Sequence, residues 1–442
     1  MNFKRSAYIA DLLKTISARW FGRGRGGGPE PIDAMDLPAL AQSLLSTRGE
    51  ASGVLLAEAL VARWETLADA DRRAWFQTLA TDFGAPTAAL EAAVAAWRED
   101  PSPANAARLH GAAESRRQEL FRRINLARGG TRALVAMRHF LLEHLAREAD
   151  LREVDYDFAH LLGSWFNRGF LRLERIDWSS PAAVLEKIIR YEAVHQIANW
   201  DDLRNRLAPP DRRCFAFFHP QMPDEPLIFV EVALTRGMPA EIAPLLDTGR
   251  AIAAADEVDT AVFYSISNTQ VGLRGVSFGN FLIKQVVDEL LRELPALRHF
   301  VTLSPLPGFA RWLARRAEEE SALAALLAQP DWAADPARRE QIAASLPGAA
   351  SRYLLQAKGE DGRPLDPVAR FHLNNGARLE RINFCGDVSA KGLATAHGLM
   401  VNYLYERKSI ERNHEHYANA NQVAASPAVR RLLAQDRAAA RA

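Results

Sequence analysis

The stretch Asn268-Thr-Gln-Val-Gly-Leu-Arg-Gly-Val-Ser-Phe-Gly279 follows the apolar run Ala261-Val-Phe-Tyr-Ser-Ile266 and precedes a helical pattern from Phe281. In that pattern Leu282, Val286, Leu290 and Leu294 share one face. A further strand, His299 to Leu303, leads into Leu303-Ser-Pro-Leu-Pro-Gly308. Strand, glycine turn, helix, strand and serine turn, in that order, predict an α+β domain with a ligand turn between strand and helix.

The amides at a helix start are unpaired and carry partial positive charge, so a phosphate can lodge there. Gly272, Gly275 and Gly279 remove side chains that would block its approach, and Arg274 can add a countercharge. The spacing is neither that of a Walker A loop nor Gly-x-Gly-x-x-Gly. Two readings stay open: a phosphate cradle, or a turn that only permits tight packing. Ser304 before Pro305 reads first as a helix cap, and no Gly-x-Ser-x-Gly elbow surrounds it.

Upstream, Arg213–Phe218 and Pro226–Leu234 are aromatic and β-branched strands, with His219 to Glu225 as the hairpin loop between them. Helices are expected at Val184 to Ala198 and near Ala240 to Leu246. From Pro31 to Arg175 the pattern is helical nearly throughout: Leu56, Leu60, Val61, Trp64 and Leu67 mark one buried stripe, and Leu134, Met137, Leu141 and Leu145 another. The charges of this half read as solvated surface. Two domains are expected, a helical one over 1–183 and a sheet-containing one over 184–442.

Bulk properties narrow the partners. With 48% hydrophobic and 25% charged residues the chain is an ordinary globular one. A net charge of +1 supplies no field to gather nucleic acid or coat a membrane, so neither is an expected partner, and no apolar run is long enough to span a bilayer. Cys214 and Cys385 form no paired motif, which fits a reducing compartment. Residues 1–28 carry six basic side chains against Asp11: a first helix with a basic face, or a mitochondrial transit peptide. The cytoplasm is the expected location, with the mitochondrial matrix as the alternative. Downstream, His372 reads as a core or surface group, and His414 and His416 as solvated loop histidines, since no third ligand makes a metal site.

Five ordered stretches point further: Tyr191-Glu-Ala-Val-His195, Ser265 to Val276, Leu303 to Gly308, Phe371-His-Leu-Asn-Asn-Gly-Ala377 and Gly398-Leu-Met-Val-Asn-Tyr-Leu-Tyr405. Together they closely resemble the malonyl-CoA decarboxylase family over most of Glu186 to Tyr417, and the helical half has the character of that family's N-terminal domain. The resemblance implies a GNAT acetyltransferase-like catalytic domain after the helical one. It places the CoA-binding turn at Arg274, Gly275, Val276, Ser277, Phe278, Gly279 and Asn280. Ser304 aligns with the family's active-site serine, His372 with its active-site histidine, and Tyr405 with a tyrosine lining the same pocket.

The implied reaction takes malonyl-CoA to acetyl-CoA and CO2 through a thioester enolate, with no metal or organic cofactor. Ser304 would orient the departing carboxylate, backbone amides would meet the growing oxyanion, and His372, an imidazole near neutrality, would be the general acid. Self-association through the helical domain is expected. A GNAT-type acyltransferase and a non-catalytic acyl-CoA-binding scaffold are the alternatives.

Overall fold

The structure, a computed structural model, describes residues 31–439 apart from 48, 146, 147, 255, 277, 279–281, 319 and 330. The basic stretch 1–28 therefore lies outside the described residues, as do Ser277, Gly279 and Asn280. The chain divides into two compact units: Met1–Phe170 with His219–Pro223 and Gln270–Phe278, and Leu171–Phe218 with Asp224–Thr269 and Gly279–Ala442.

The first unit is helical, with long elements at Glu50–Thr66, Asp69–Asp82, Gly130–His144 and Arg152–Trp165. The stripe residues Leu56, Leu60, Val61 and Trp64 are buried as their spacing requires. An aromatic cluster fills the centre: Trp64 meets Phe76 edge-on at 5.6 Å, and Phe121 stacks on Phe158 at 4.1 Å. Not all of the charge is solvated, as the pattern had suggested. Arg117 and Asp157 form a buried ion pair, and Asp157 also accepts from Ser115 Oγ at 2.7 Å. A buried carboxylate is retained only with such a set of donors.

The glycine turn packs within this unit. Val271–Leu273 forms a short 3-10 turn against the Gly130–His144 helix, and Arg138 from that helix donates to the carbonyls of Gly272 at 2.9 Å and Arg274 at 2.8 Å. A Cβ on Gly272 would fall 2.0 Å from the Val135 carbonyl oxygen, so only glycine allows this approach.

The second unit is built on one mixed sheet. Its strands are β1 (Arg172–Ile176), β2 (Arg212–His219), β3 (Met222–Thr235), β4 (Thr260–Asn268), β5 (His299–Thr302), β6 (Ser304–Pro305), β7 (Arg378–Asn383) and β8 (Met400–Leu404). The order is β1-β2-β3-β4-β5-β8-β6, with β7 also on β8. Val401 of β8 pairs with both Ser304 and Ile382, so β8 runs between the β5–β6 line and β7. β4 and β5 are parallel, which demands the crossover helix Leu282–Glu293 that the sequence showed.

Three expectations shift. The helical half ends sooner, because Arg172–Ile176 pairs antiparallel with β2 and opens the sheet unit before residue 184. The helix expected over Val184 to Ala198 is Ala182–Tyr191, followed after a break by Trp200–Leu207. It stops where the Glu192 carboxylate takes the amides of Val194 (2.9 Å) and His195 (2.7 Å), competing with continued helix. Strands β2 and β3 run on until only residues 220 and 221 separate them, well inside the expected loop. Ile188, Leu203, Cys214, Ala216 and Phe229 form the core under these two helices.

Candidate active site

Ser304 is not a helix cap. It lies in β6, pairs with Val401 of β8, and the next helix, Phe309–Ala314, begins beyond Gly308. The pairing turns its hydroxyl into a buried polar group, 6% exposed. Ser304 Oγ donates to Thr302 Oγ1 at 2.9 Å and lies 3.1 Å from His372 Nε2. Thr302 is held in turn: its Oγ1 accepts the Tyr403 amide at 3.1 Å and its carbonyl accepts Asn402 Nδ2 at 2.7 Å.

His372 sits in the last turn of the helix Pro367–Asn374 and is 2% exposed. Asp366 starts that helix as its N-cap, accepting the Ala369 amide at 2.9 Å, and Pro367 occupies the first position. The imidazole stacks on Tyr403 at 4.6 Å, and its Nδ1 lies 2.8 Å from Tyr405 Oη. Tyr405 is itself buried just after β8, edge-on to Phe263 at 6.1 Å.

The tautomer is assigned from these contacts. Among the described residues, Nδ1 is the acceptor the structure offers to the buried Tyr405 O–H, and a buried hydroxyl proton is rarely left unpaired. Tyr405 therefore donates to Nδ1, and the ring proton sits on Nε2, facing Ser304. Burial pushes the His372 pKa down to about 3, so the ring is neutral at pH 7. This corrects the expectation of an imidazole near neutrality: among the described residues no anionic group offsets the ring's loss of water. Burial also lifts the Tyr405 phenol well above its usual value. The Asp366 carboxyl is raised by burial to about 6, a shift its hydrogen bonds only partly oppose.

Two of the sequence stretches meet elsewhere in the sheet unit. Glu192 accepts from Ser265 Oγ at 2.7 Å and from Ser267 Oγ at 3.1 Å, the two serines lying on one face of β4. His195 beside it is driven to about 4 by burial. In the helical unit, Arg274 is exposed, Gly275 takes a φ of 78° in open space, and Val276 and Phe278 are half-buried. The two downstream histidines are not loop residues. They lie on the helix Ile410–Ala420, where His414 is buried and its Nδ1 bonds the Asn374 carbonyl at 2.7 Å. Among the described residues no cluster of His, Cys, Asp or Glu could hold a metal ion, and no helix is long and apolar enough to cross a membrane.

The family model described as the malonyl-CoA decarboxylase C-terminal domain matches residues 169–442, and the N-terminal domain model matches 83–166. The chain belongs to the malonyl-CoA decarboxylase family. Its solved relatives include the malonyl-CoA decarboxylase from Rhodopseudomonas palustris, 56% identical over 91% of this chain and 100% of that one, with a TM-score of 0.86. The Agrobacterium vitis malonyl-CoA decarboxylase is 55% identical over 90% and 100%, also at 0.86. The mitochondrial malonyl-CoA decarboxylase of Rattus norvegicus is 37% identical over 78% of this chain and 75% of its own length. Membership makes this chain a carboxy-lyase that converts malonyl-CoA to acetyl-CoA and CO2. The α+β expectation holds too, a helical region followed by a mixed sheet. Sequence reasoning passed over Thr302, Tyr353, Asp366 and Tyr403. Their signal was weak, since each matters only through a partner distant in the chain.

Proposed function

We propose that Ser304 and His372 carry the decarboxylation, with Tyr405 supporting the ring. The observation behind this reading is the buried chain Tyr405 Oη, His372 Nδ1 and Nε2, Ser304 Oγ, Thr302 Oγ1, in which one hydroxyl and one ring N–H face each other. The malonyl carboxylate replaces Thr302 as acceptor of the Ser304 O–H, which needs only rotation about the Cβ–Oγ bond. Held there, it loses CO2 as the C–C bond breaks, and the electron pair passes into the thioester carbonyl. The thioester is itself the electron sink, so this reading calls for no metal or organic cofactor.

The enolate carbon then takes the Nε2 proton. His372 enters as a neutral imidazole, a role such rings can fill as electrophiles and acids. As Nε2–H leaves, the Tyr405 O–H already bonded to Nδ1 passes its proton there; the starting state returns when water protonates Nε2 and Nδ1 gives its proton back to the Tyr405 oxygen. One proton is consumed for each malonyl group, as the conversion of its carboxylate to CO2 and a methyl group requires. Arg274 to Asn280 is assigned to the phosphates of CoA; the resemblance and the exposed guanidinium of Arg274 support this. Self-association of the helical unit is supported by Leu126 and Tyr156, each 68% exposed. The cytoplasm is the proposed compartment.

The test uses purified protein, malonyl-CoA alone, a chelator, and mass detection of product. Acetyl-CoA from wild type but only traces from Ser304→Ala, with acetyl-CoA affinity kept, is the expected pattern. Undiminished turnover by Ser304→Ala removes the hydroxyl from the reaction. Loss of wild-type activity in the chelator removes the metal-free reading.

A further inference from the structure

We infer that Asp366 is a positioning residue that locks the Ser304 turn to the His372 helix, and so sets the distance between the two side chains. The inference rests on the roles given above to Ser304 and His372. Asp366 is fully buried and, among the described residues, forms no ion pair, an arrangement that is costly unless every lone pair is used. One carboxylate oxygen accepts the Ala369 amide at 2.9 Å, which is the capping bond of the His372 helix. The other accepts the Tyr353 phenol from the helix Pro336–Gln356 at 3.3 Å. The amides of Val368 and Gly308 also face the carboxylate closely enough to lower its pKa. Gly308 closes the turn that begins at Ser304, so one side chain joins three segments.

Two details separate this from ordinary capping. A cap needs one oxygen at an exposed helix end, whereas both oxygens here are engaged inside the protein. The close approach of the turn also depends on glycine: a Cβ on Gly308 would fall 2.4 Å from Tyr353 Oη and 4.0 Å from Asp366 Oδ2. Phe309 and Trp312, just after the turn, pack on the Tyr353 ring at 5.6 and 5.2 Å, which keeps the phenol aimed at the carboxylate.

Asp366→Ser distinguishes the two roles. Serine is a good N-cap and keeps the bond to Ala369, but it is too short to reach Tyr353 and Gly308. The expected result is a kcat lower by roughly tenfold, because small misplacements of reacting groups cost that much or more, with KM for malonyl-CoA nearly unchanged and normal circular dichroism. Asp366→Asn, which keeps size and one acceptor, should recover part of the loss. Wild-type kcat in the folded Ser variant overturns the inference. If that variant does not fold, wild-type kcat in Asp366→Asn overturns it equally. Ser304→Ala and His372→Ala are assayed alongside. If they keep wild-type kcat, the catalytic reading itself has failed; if they lose it and the Asp366 variants do not, only the positioning role has failed.

Discussion

The glycine turn and the serine turn exchange their apparent roles between sequence and structure. Read along the chain, Val271–Val276 has the residues of a ligand loop, and Ser304-Pro305 those of a helix start. In the folded chain, Gly272 is taken up by packing against Val135 and the turn carbonyls are held by Arg138. Ser304 meanwhile sits in a strand with its hydroxyl against a buried neutral histidine. Residue type reports what the backbone needs locally, whereas a reactive pair is made by contacts between residues far apart in sequence.

The largest expected effect falls on the serine turn's side. His372→Ala should lower kcat by about two to four orders of magnitude with acetyl-CoA affinity nearly unchanged, the range for a lost proton donor. Steady-state kinetics and a binding isotherm check both halves. A variant at wild-type turnover would leave the buried chain as packing alone, and the contrast between the two turns would collapse.

The same ring should make the fold acid-sensitive. His372 has a folded pKa of about 3, against about 6.5 in the unfolded chain. As pH falls, the unfolded chain takes up the proton first, so the contribution of the neutral ring is complete above about pH 6.5 and is lost on the way down to 3. The slope is at most about 1.4 kcal/mol per pH unit. Urea unfolding at pH 6.5 and 4.5 should show a steeper loss for wild type than for His372→Gln, which does not titrate. His195, at about 4, acts in both proteins and cancels in the difference. Equal losses would mean that the ring is not buried as a neutral base.

On the glycine turn's side the expected effect is on stability. Gly272→Ala puts a methyl group 2.0 Å from the Val135 carbonyl oxygen, a backbone atom that cannot swing aside. Overpacking of this kind costs about 1–3 kcal/mol. The unfolding midpoint should fall; an unchanged midpoint would show that the turn does not pack on the helix as described.

How much the sequence disclosed follows the same division. Periodicity located the buried stripe at Leu56, Leu60 and Trp64, and apolar, aromatic and β-branched runs located β2, β3 and β4, because those signals are local. The edge strand Arg172–Ile176 was missed because only Ile176 is buried, so it lacks a strand's alternation. Tyr191 was read as mid-helix because the stop signal is the Glu192 carboxylate reaching forward to the amides of Val194 and His195. Ser304, His372 and Tyr405 came from resemblance, and no spacing rule joins them: β8 pairing and the Asp366 cap bring them together. Asp366 was passed over because its second oxygen is used by Tyr353, a partner that no local pattern announces.

The smallest expected effect decides whether the glycine turn does anything besides pack. The Arg274 carbonyl is bound by Arg138 at 2.8 Å, so the backbone stays in place whatever the side chain is. The guanidinium is exposed, and removing it should leave the unfolding midpoint where it was. An exposed arginine meeting a phosphate contributes on the order of 1 kcal/mol, so Arg274→Ala should raise KM for malonyl-CoA severalfold with kcat unchanged. The difference should shrink in high salt, which screens exposed charges. An unchanged KM at low salt would leave the turn with packing as its only role, whereas a fall in kcat alone would mean that Arg274 acts on the chemical step instead of on the CoA phosphates.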